Sequence, residues 1–291
     1  MRCSTLSEFA GEPLAGTAAT ATAWLCLEQP GPWGRDALLE SHLDPQLGAE
    51  LQRRAAGTGV RILLIRRPGK HADTGMPQTR RVYLASARPG ASWLEQADLA
   101  APEEALELDF EALGAGRSTA FGTPVHDPLL LVCTNSKRDV CCALYGRPIA
   151  TALNLWECTH TGGHRFAPTG VLLPTGHLYG RLDHQLAERV VTEGIVADRC
   201  RGRSCFTPRG QVAEVAVRAQ IGETRDVLTV VGETADSATV RHADGREWRV
   251  GLTEQPVPPR PASCGKFPDI AIALVATAID ELALTSNRCP G

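Results

Sequence analysis

The sequence predicts an α/β protein built from two related halves and followed by a small antiparallel β-rich extension. Three observations carry this expectation. Strand, helix and strand patterns follow one another between residues 20 and 65, the pattern restarts at residue 128 after a Gly-rich break, and short alternating runs fill the chain beyond residue 226. A chain of 291 residues with 43% hydrophobic content is long enough for two domains and apolar enough to bury a core.

Residues 20–27, "TATAWLCL", and 60–65, "VRILLI", read as strands. Between them Arg35 to Ala56 reads as a polar, Leu-punctuated helix closed by Gly57, which makes a βαβ unit. A third strand is expected at Arg81 to Ala85, followed by the acidic 103–112 segment. The break "GAGRSTAFGTP" then marks the end of an N-terminal α/β domain spanning residues 1–120.

"PLLLVC", residues 128–133, opens the second half as a buried strand. A helix is expected over Cys142 to Leu155, kinked by Gly146 and Pro148 or beginning at Pro148. "GVLLPTGHLYGRL" predicts a β-hairpin across Thr175-Gly176, and Asp183 is placed to cap a helix through Val191. Strand, helix, hairpin, helix is the order of a thioredoxin-like core, assigned to residues 125–200, and the first half shares enough of it to suggest a diverged duplication.

Residues 208–291 form the extension. It holds a helix at Val212 to Gln220 and the runs "DVLTVV", "SATVRH" and "EWRVGL", which read as a small sheet. "EQPVPPRPASCGKFPD" reads as a linker or surface arm, because its prolines cannot donate to a ladder.

Composition narrows function less than fold. With 30 Lys plus Arg against 33 Asp plus Glu, the net charge of -3 favours neither nucleic acid nor an anionic membrane. The N-terminal stretch lacks the basic and apolar regions of a secretory signal, and the longest apolar run, Ile270 to Ile279, is about half of what a membrane helix needs. A cytoplasmic protein is expected. In a reducing compartment, clustered cysteines point to metal binding or electron exchange more than to disulfides.

Such a cluster is present. Residues 133–164 hold four of the ten cysteines and two of the eight histidines. In "HTGGH", His160 and His164 have an ordinary metal-ligand spacing, but Gly162 and Gly163 argue for a loop and not a helix, since each would cost a helix about 1 kcal/mol relative to Ala. Read alone, the motif is equally a Gly-rich turn with two surface histidines. Cys133 closes a predicted buried strand, and Cys142 lies near a helix N-terminus, where thiolate is favoured. Together the four residues complete a ligand set. Zinc is one candidate for it. The broad loop between Cys133 and Cys142 suits a larger object, such as a [2Fe–2S] cluster with histidine on one iron.

Residues "CTNSKRDVCC", "YGRP", "HTGGHRFAP", "LLPTGHLYGRL" and the late "PASCGK" resemble the sucrase/ferredoxin-like family, most specifically over residues 125–185. The resemblance implies a thioredoxin-like ferredoxin domain that binds one [2Fe–2S] cluster through Cys133, Cys142, His160 and His164. It selects Cys142 over the adjacent Cys141, whose alternative role is a small packed hydrophobe. No pair of carboxylates supports a glycosidase activity.

The implied function is electron transfer between donor and acceptor proteins, without a stand-alone enzymatic activity. Two thiolates and two neutral imidazoles leave the site uncharged, so its potential should lie well above the ~-400 mV of plant-type ferredoxins, and the second nitrogen of each ring should couple the electron to a proton. Lys137, Arg138, Arg147 and Arg165 fall near the ligands in sequence, either to steer an acidic partner or simply as solvated charges. Two other functions use the same residues: a zinc-stabilised interaction module on the four ligands, or a thiol oxidoreductase on Cys141-Cys142 or Cys200-Cys205. Cys3, Cys26, Cys158 and Cys289 are expected to be structural, Cys264 has no assigned purpose, and His177 and His184 are expected at solvated positions.

Overall fold

The computed structural model describes residues 2–69 and 79–283; Cys289 lies outside them. A short helix α1 (Cys3–Phe9) precedes the first half, which contains β1 (Ala23–Glu28), α2 (Pro45–Ala55), β2 (Val60–Arg66), β3 (Arg80–Ser86), β4 (Trp93–Leu99), α3 (Phe110–Gly114) and β5 (Thr123–Pro124). Helix α2 starts ten residues later than its composition suggests, where Pro45 occupies the first helical position and the Asp44 side chain accepts from the Gln46 N–H. The acidic segment becomes a 3₁₀ turn (Pro102–Glu107) leading into α3, and the Gly-rich break returns to the sheet as β5.

The second half contains β6 (Leu129–Cys133), α4 (Val140–Ala152), β7 (Trp156–Cys158), β8 (Gly170–Leu173), β9 (His177–Tyr179), α5 (His184–Glu193) and β10 (Cys200–Arg203). Helix α4 begins at Val140, earlier than expected, because Asp139 caps it, and it runs through Pro148 to Ala152. It can lie close to β6 because Gly146 is there: a Cβ at that position would stand 2.5 Å from the Cys133 carbonyl oxygen. The hairpin across Thr175-Gly176 and the Asp183 cap are found as the sequence predicts.

The halves repeat one topology. In each, the first two strands are parallel, β1 with β2 and β6 with β7. The third strand pairs antiparallel with the first, and the fourth with the third. The equivalent strands β2 and β7 then pair antiparallel with each other, so a single ten-stranded sheet runs β10-β9-β8-β6-β7-β2-β1-β3-β4-β5. On one face a single apolar cluster crosses the join, with Trp24, Ile65 and Tyr83 from one half and Cys133, Trp156 and Val171 from the other. On the other face each half has its own core under its own helices.

The extension comprises α6 (Pro208–Ile221), β11 (Leu228–Glu233), β12 (Ser237–His242), β13 (Glu247–Pro261) and β14 (Pro268–Leu282), the strands forming a separate antiparallel sheet in that order. The Pro-rich segment belongs to β13 and is not a linker. Beyond Gly251 this strand pairs only with β14, and Pro258 and Pro259 fall where the register shifts between Val257 and Arg260. Prolines are therefore confined to a one-sided strand and a bulge, where their missing N–H groups break no ladder. Among the described residues no helix is long and apolar enough to cross a membrane.

At the join, Arg66 and Glu157 stand directly opposite each other, and their buried side chains form an ion pair at 2.8 Å to which Thr134 adds a hydroxyl donor at 2.9 Å. Removing one partner would strand the other charge. Glu157→Ala is expected to lower the unfolding free energy by about 3–5 kcal/mol in urea titration, while an apolar replacement of both residues should cost far less.

Candidate metal centre

Cys133 ends β6 with its backbone N–H bonded to the Thr169 carbonyl at 2.8 Å, so the thiol is fixed at the C-terminal edge of the sheet. The chain then turns tightly. The Asn135 side-chain oxygen accepts from the N–H groups of Lys137 and Arg138, and the Asp139 N–H returns to the Asn135 carbonyl. Asp139 caps α4, and Cys142, in its first turn, faces back toward Cys133; both are fully buried. A hydrogen bond from Cys142, opposed by burial and helped by His160, holds the Cys133 thiol well below its ordinary value. The same bond together with burial pushes Cys142 well above it. One sulfur is thus set up as thiolate and the other as its donor, an arrangement a cation would replace.

The "HTGGH" segment is a loop, as its glycines require. Thr159 ties its start to β2, donating its N–H to the Leu64 carbonyl and accepting the Leu64 N–H on its hydroxyl. Gly163 has a φ of +67°, and a Cβ there would meet the Arg201 guanidinium at 2.3 Å. That guanidinium is itself buried and fixed by the Thr17 hydroxyl and the Gly162 carbonyl. A short 3₁₀ turn, His164–Phe166, follows. The His160 and His164 rings lie 4.9 Å apart and are half-buried. Their Nδ1 atoms are both buried, and neither has a hydrogen-bond partner. Burial, aided by His160 and Arg138, keeps His164 below its ordinary value, so its ring is neutral with a free lone pair.

The structure therefore brings all four sequence-predicted residues together. An unpartnered buried nitrogen ordinarily costs about 1–3 kcal/mol. Two of them beside two buried cysteine sulfurs make a donor set that a metal group with nitrogen and sulfur ligands would satisfy.

The remaining cysteines and histidines divide differently from the sequence expectation. Cys141 points away from Cys142 and joins Cys3, Cys264 and Asp139 in a second group whose ligand atoms all lie within 4.8 Å of one another, a group that can hold a metal ion. Its members are 261 residues apart at the extremes, and no spacing rule links them. The adjacency of Cys141 and Cys142 was the only available signal. Cys200 and Cys205 have thiols pushed up to about 12 and about 11, mainly by burial, the opposite of what an attacking thiolate needs. Cys158 is buried and likewise raised, mainly by burial. His177 is not solvated: it is fully buried, bonded to Thr175 at 2.9 Å and to Glu214 at 3.3 Å, and burial depresses its pKa. Its place in β9 under α6 was invisible to a local reading of the hairpin. His184 is exposed at the start of α5.

These features define an α/β protein of two like halves, only the second of which carries a candidate centre of cysteine and histidine. The family model described as "Sucrase/ferredoxin-like" matches residues 14–205, and the chain belongs to that family. The match spans both halves of the large sheet and ends before α6, leaving Cys3, Cys264 and the small sheet outside it. No match was found among curated proteins or among solved structures.

Gly163→Ala tests whether the histidine loop is held as described. The new methyl group has to displace Arg201 and occupy a left-handed backbone region. A loss of about 1–3 kcal/mol in thermal or urea unfolding is expected, with the same change at the open Gly57 costing less.

Proposed function

We propose that the protein is a cytoplasmic electron-transfer protein whose second half binds one [2Fe–2S] cluster through Cys133, Cys142, His160 and His164, and that it passes electrons between a donor and an acceptor protein. The observation that carries this reading is the pair of buried, unpartnered Nδ1 atoms beside the two buried cysteine sulfurs. The family name and the wide loop between the cysteines support it. When bound, such a cluster supplies reversible one-electron storage.

The chain's own residues set the conditions for that storage. Two thiolates and two neutral rings give the site less negative charge than four thiolates would. Ligation through Nδ1 leaves Nε2 of each half-buried ring to carry a proton. Arg61 donates to the His160 carbonyl at 3.0 Å, and Arg138 lines a surface hollow with Arg35, Ile62, Thr159 and His160. That hollow offers a cationic docking place beside the ring nearest solvent, suited to an acidic partner. Arg165, in contrast, is occupied by Glu12 at 2.8 Å.

Anaerobic purification with iron, zinc and acid-labile sulfide analysis tests the reading. Iron and sulfide in equal amounts, lost in Cys142→Ser and retained in Cys141→Ser, is the expected result; zinc in place of iron at these ligands would favour an interaction module. His164→Cys adds a negative charge, so the potential should fall. In the parent protein, spectroelectrochemistry between the two pKa values of an exposed ring should show the potential falling by roughly 59 mV per pH unit, because reduction raises the affinity of Nε2 for a proton. A flat profile would mean that neither ring exchanges a proton.

A further inference from the structure

We propose that Cys3, Cys141, Cys264 and Asp139 form a second metal site, independent of the first, that binds a single zinc ion and fastens both ends of the chain to the cluster-bearing half.

The distances are those of a tetrahedral ion site. Cys141 and Cys264 Sγ are 3.5 Å apart, Cys264 and Cys3 Sγ 3.5 Å, and Cys3 and Cys141 Sγ 3.8 Å. Asp139 Oδ2 lies 3.4 Å from Cys3 Sγ. Zinc with sulfur at about 2.3 Å and carboxylate oxygen at about 2.0 Å places tetrahedral ligands about 3.8 Å apart for sulfur pairs and about 3.5 Å for sulfur with oxygen. Four ligands around one point make a closed, structural site and not an open catalytic one. Three thiolates select a soft or borderline ion over magnesium or calcium. All four ligand atoms lie within 4.8 Å of one another, which fits one central ion and leaves no room for two irons between opposite ligand pairs.

The carboxylate is oriented for the role. Asp139 Oδ1 accepts the Cys141 N–H at 2.9 Å, and Oδ2 accepts the Cys264 N–H at 2.9 Å, leaving a second lone pair on Oδ2 directed into the group. Three of the four residues are buried and Cys264 is half-buried, so the site is shielded without being sealed.

The ligands come from three separate places: α1, the first turn of α4, and the turn after β13. A second, independent contact brings the same outer segments together. Glu12, just after α1, is paired with Arg260 near the end of β13, with both side chains buried, and also with Arg165 beside the histidine loop. A disulfide is the competing use of the sulfurs. It would shorten one pair to about 2.05 Å and leave the third thiol and the carboxylate facing each other without a cation.

Zinc at this position would hold the first turn of α4 from one side while Cys142 faces the other centre from the opposite side. The iron and zinc contents of one preparation therefore read the two sites separately. Full-length protein is purified anaerobically from zinc-supplemented cells and analysed for zinc, iron and sulfide, and the metal-free reduced protein is titrated with Co(II). The expected result is about one tightly held zinc per chain, lost in Cys264→Ser and Cys3→Ser with iron unchanged and retained in Cys133→Ser, which loses iron. Cobalt should give the intense tetrahedral and thiolate bands of a three-sulfur site. The parent protein alone decides if a variant fails to fold. Absence of both zinc and the cobalt–thiolate spectrum, or recovery of a Cys141–Cys264 or Cys3–Cys264 disulfide from the anaerobic protein, would overturn the proposal whatever the iron content.

Discussion

The carboxylate of Asp139 directs every sulfur around the first turn of α4. Burial opposes its ionisation, yet the N–H groups of Cys264 and Cys141 hold it below its ordinary value. As the N-cap it fixes where the helix begins. Successive helical residues are rotated by about 100°, so once that start is fixed, two adjacent cysteines have to look in different directions. Cys142 meets Cys133 and the histidine loop, while Cys141 meets Cys3 and Cys264. A shift of one residue in the cap would exchange the two cysteines and dismantle both groups.

The duplicated architecture explains why only one half carries the centre. Each half offers a loop after its first strand, at the C-terminal edge of the sheet, where functional groups are readily presented. In the second half this loop delivers Cys133 and Asp139. In the first half the equivalent loop after β1 is filled by packing: Trp33 is buried, donates to the Gln29 carbonyl at 3.0 Å, and lies under the Arg66 guanidinium at 3.9 Å. Arg66 in turn pairs with Glu157 across the join. The half without the centre thus braces β7, from whose end the histidine loop departs. Because β2 and β7 are equivalent strands, each half closes the edge that the other would leave open.

Much of this was legible in the chain. Periodicity and caps located β1, β2, β6, the β8–β9 hairpin and α5, and the spacing of Cys133, Cys142, His160 and His164 named the residues that the fold gathers. What escaped reading depends on partners distant in sequence. Strands β4 and β7 lack strong alternation and exist because neighbours offer them an edge. The prolines of β13 look like a linker until the one-sided pairing with β14 is known. His177 resembles a turn residue, yet α6 covers it and Glu214 accepts its proton or supplies a partner. The Cys3, Cys141 and Cys264 group combines the two ends of the chain with its middle, and no local pattern encodes it.

The most direct measurement of the central claim is nitrogen hyperfine spectroscopy of the dithionite-reduced, full-length protein. If His160 and His164 ligate one iron, the paramagnetic reduced centre should show two strongly coupled histidine nitrogens, one of which disappears in His164→Cys. A paramagnetic centre with no strongly coupled nitrogen would place four other ligands around the iron and contradict the account, as would a protein that holds no iron at all.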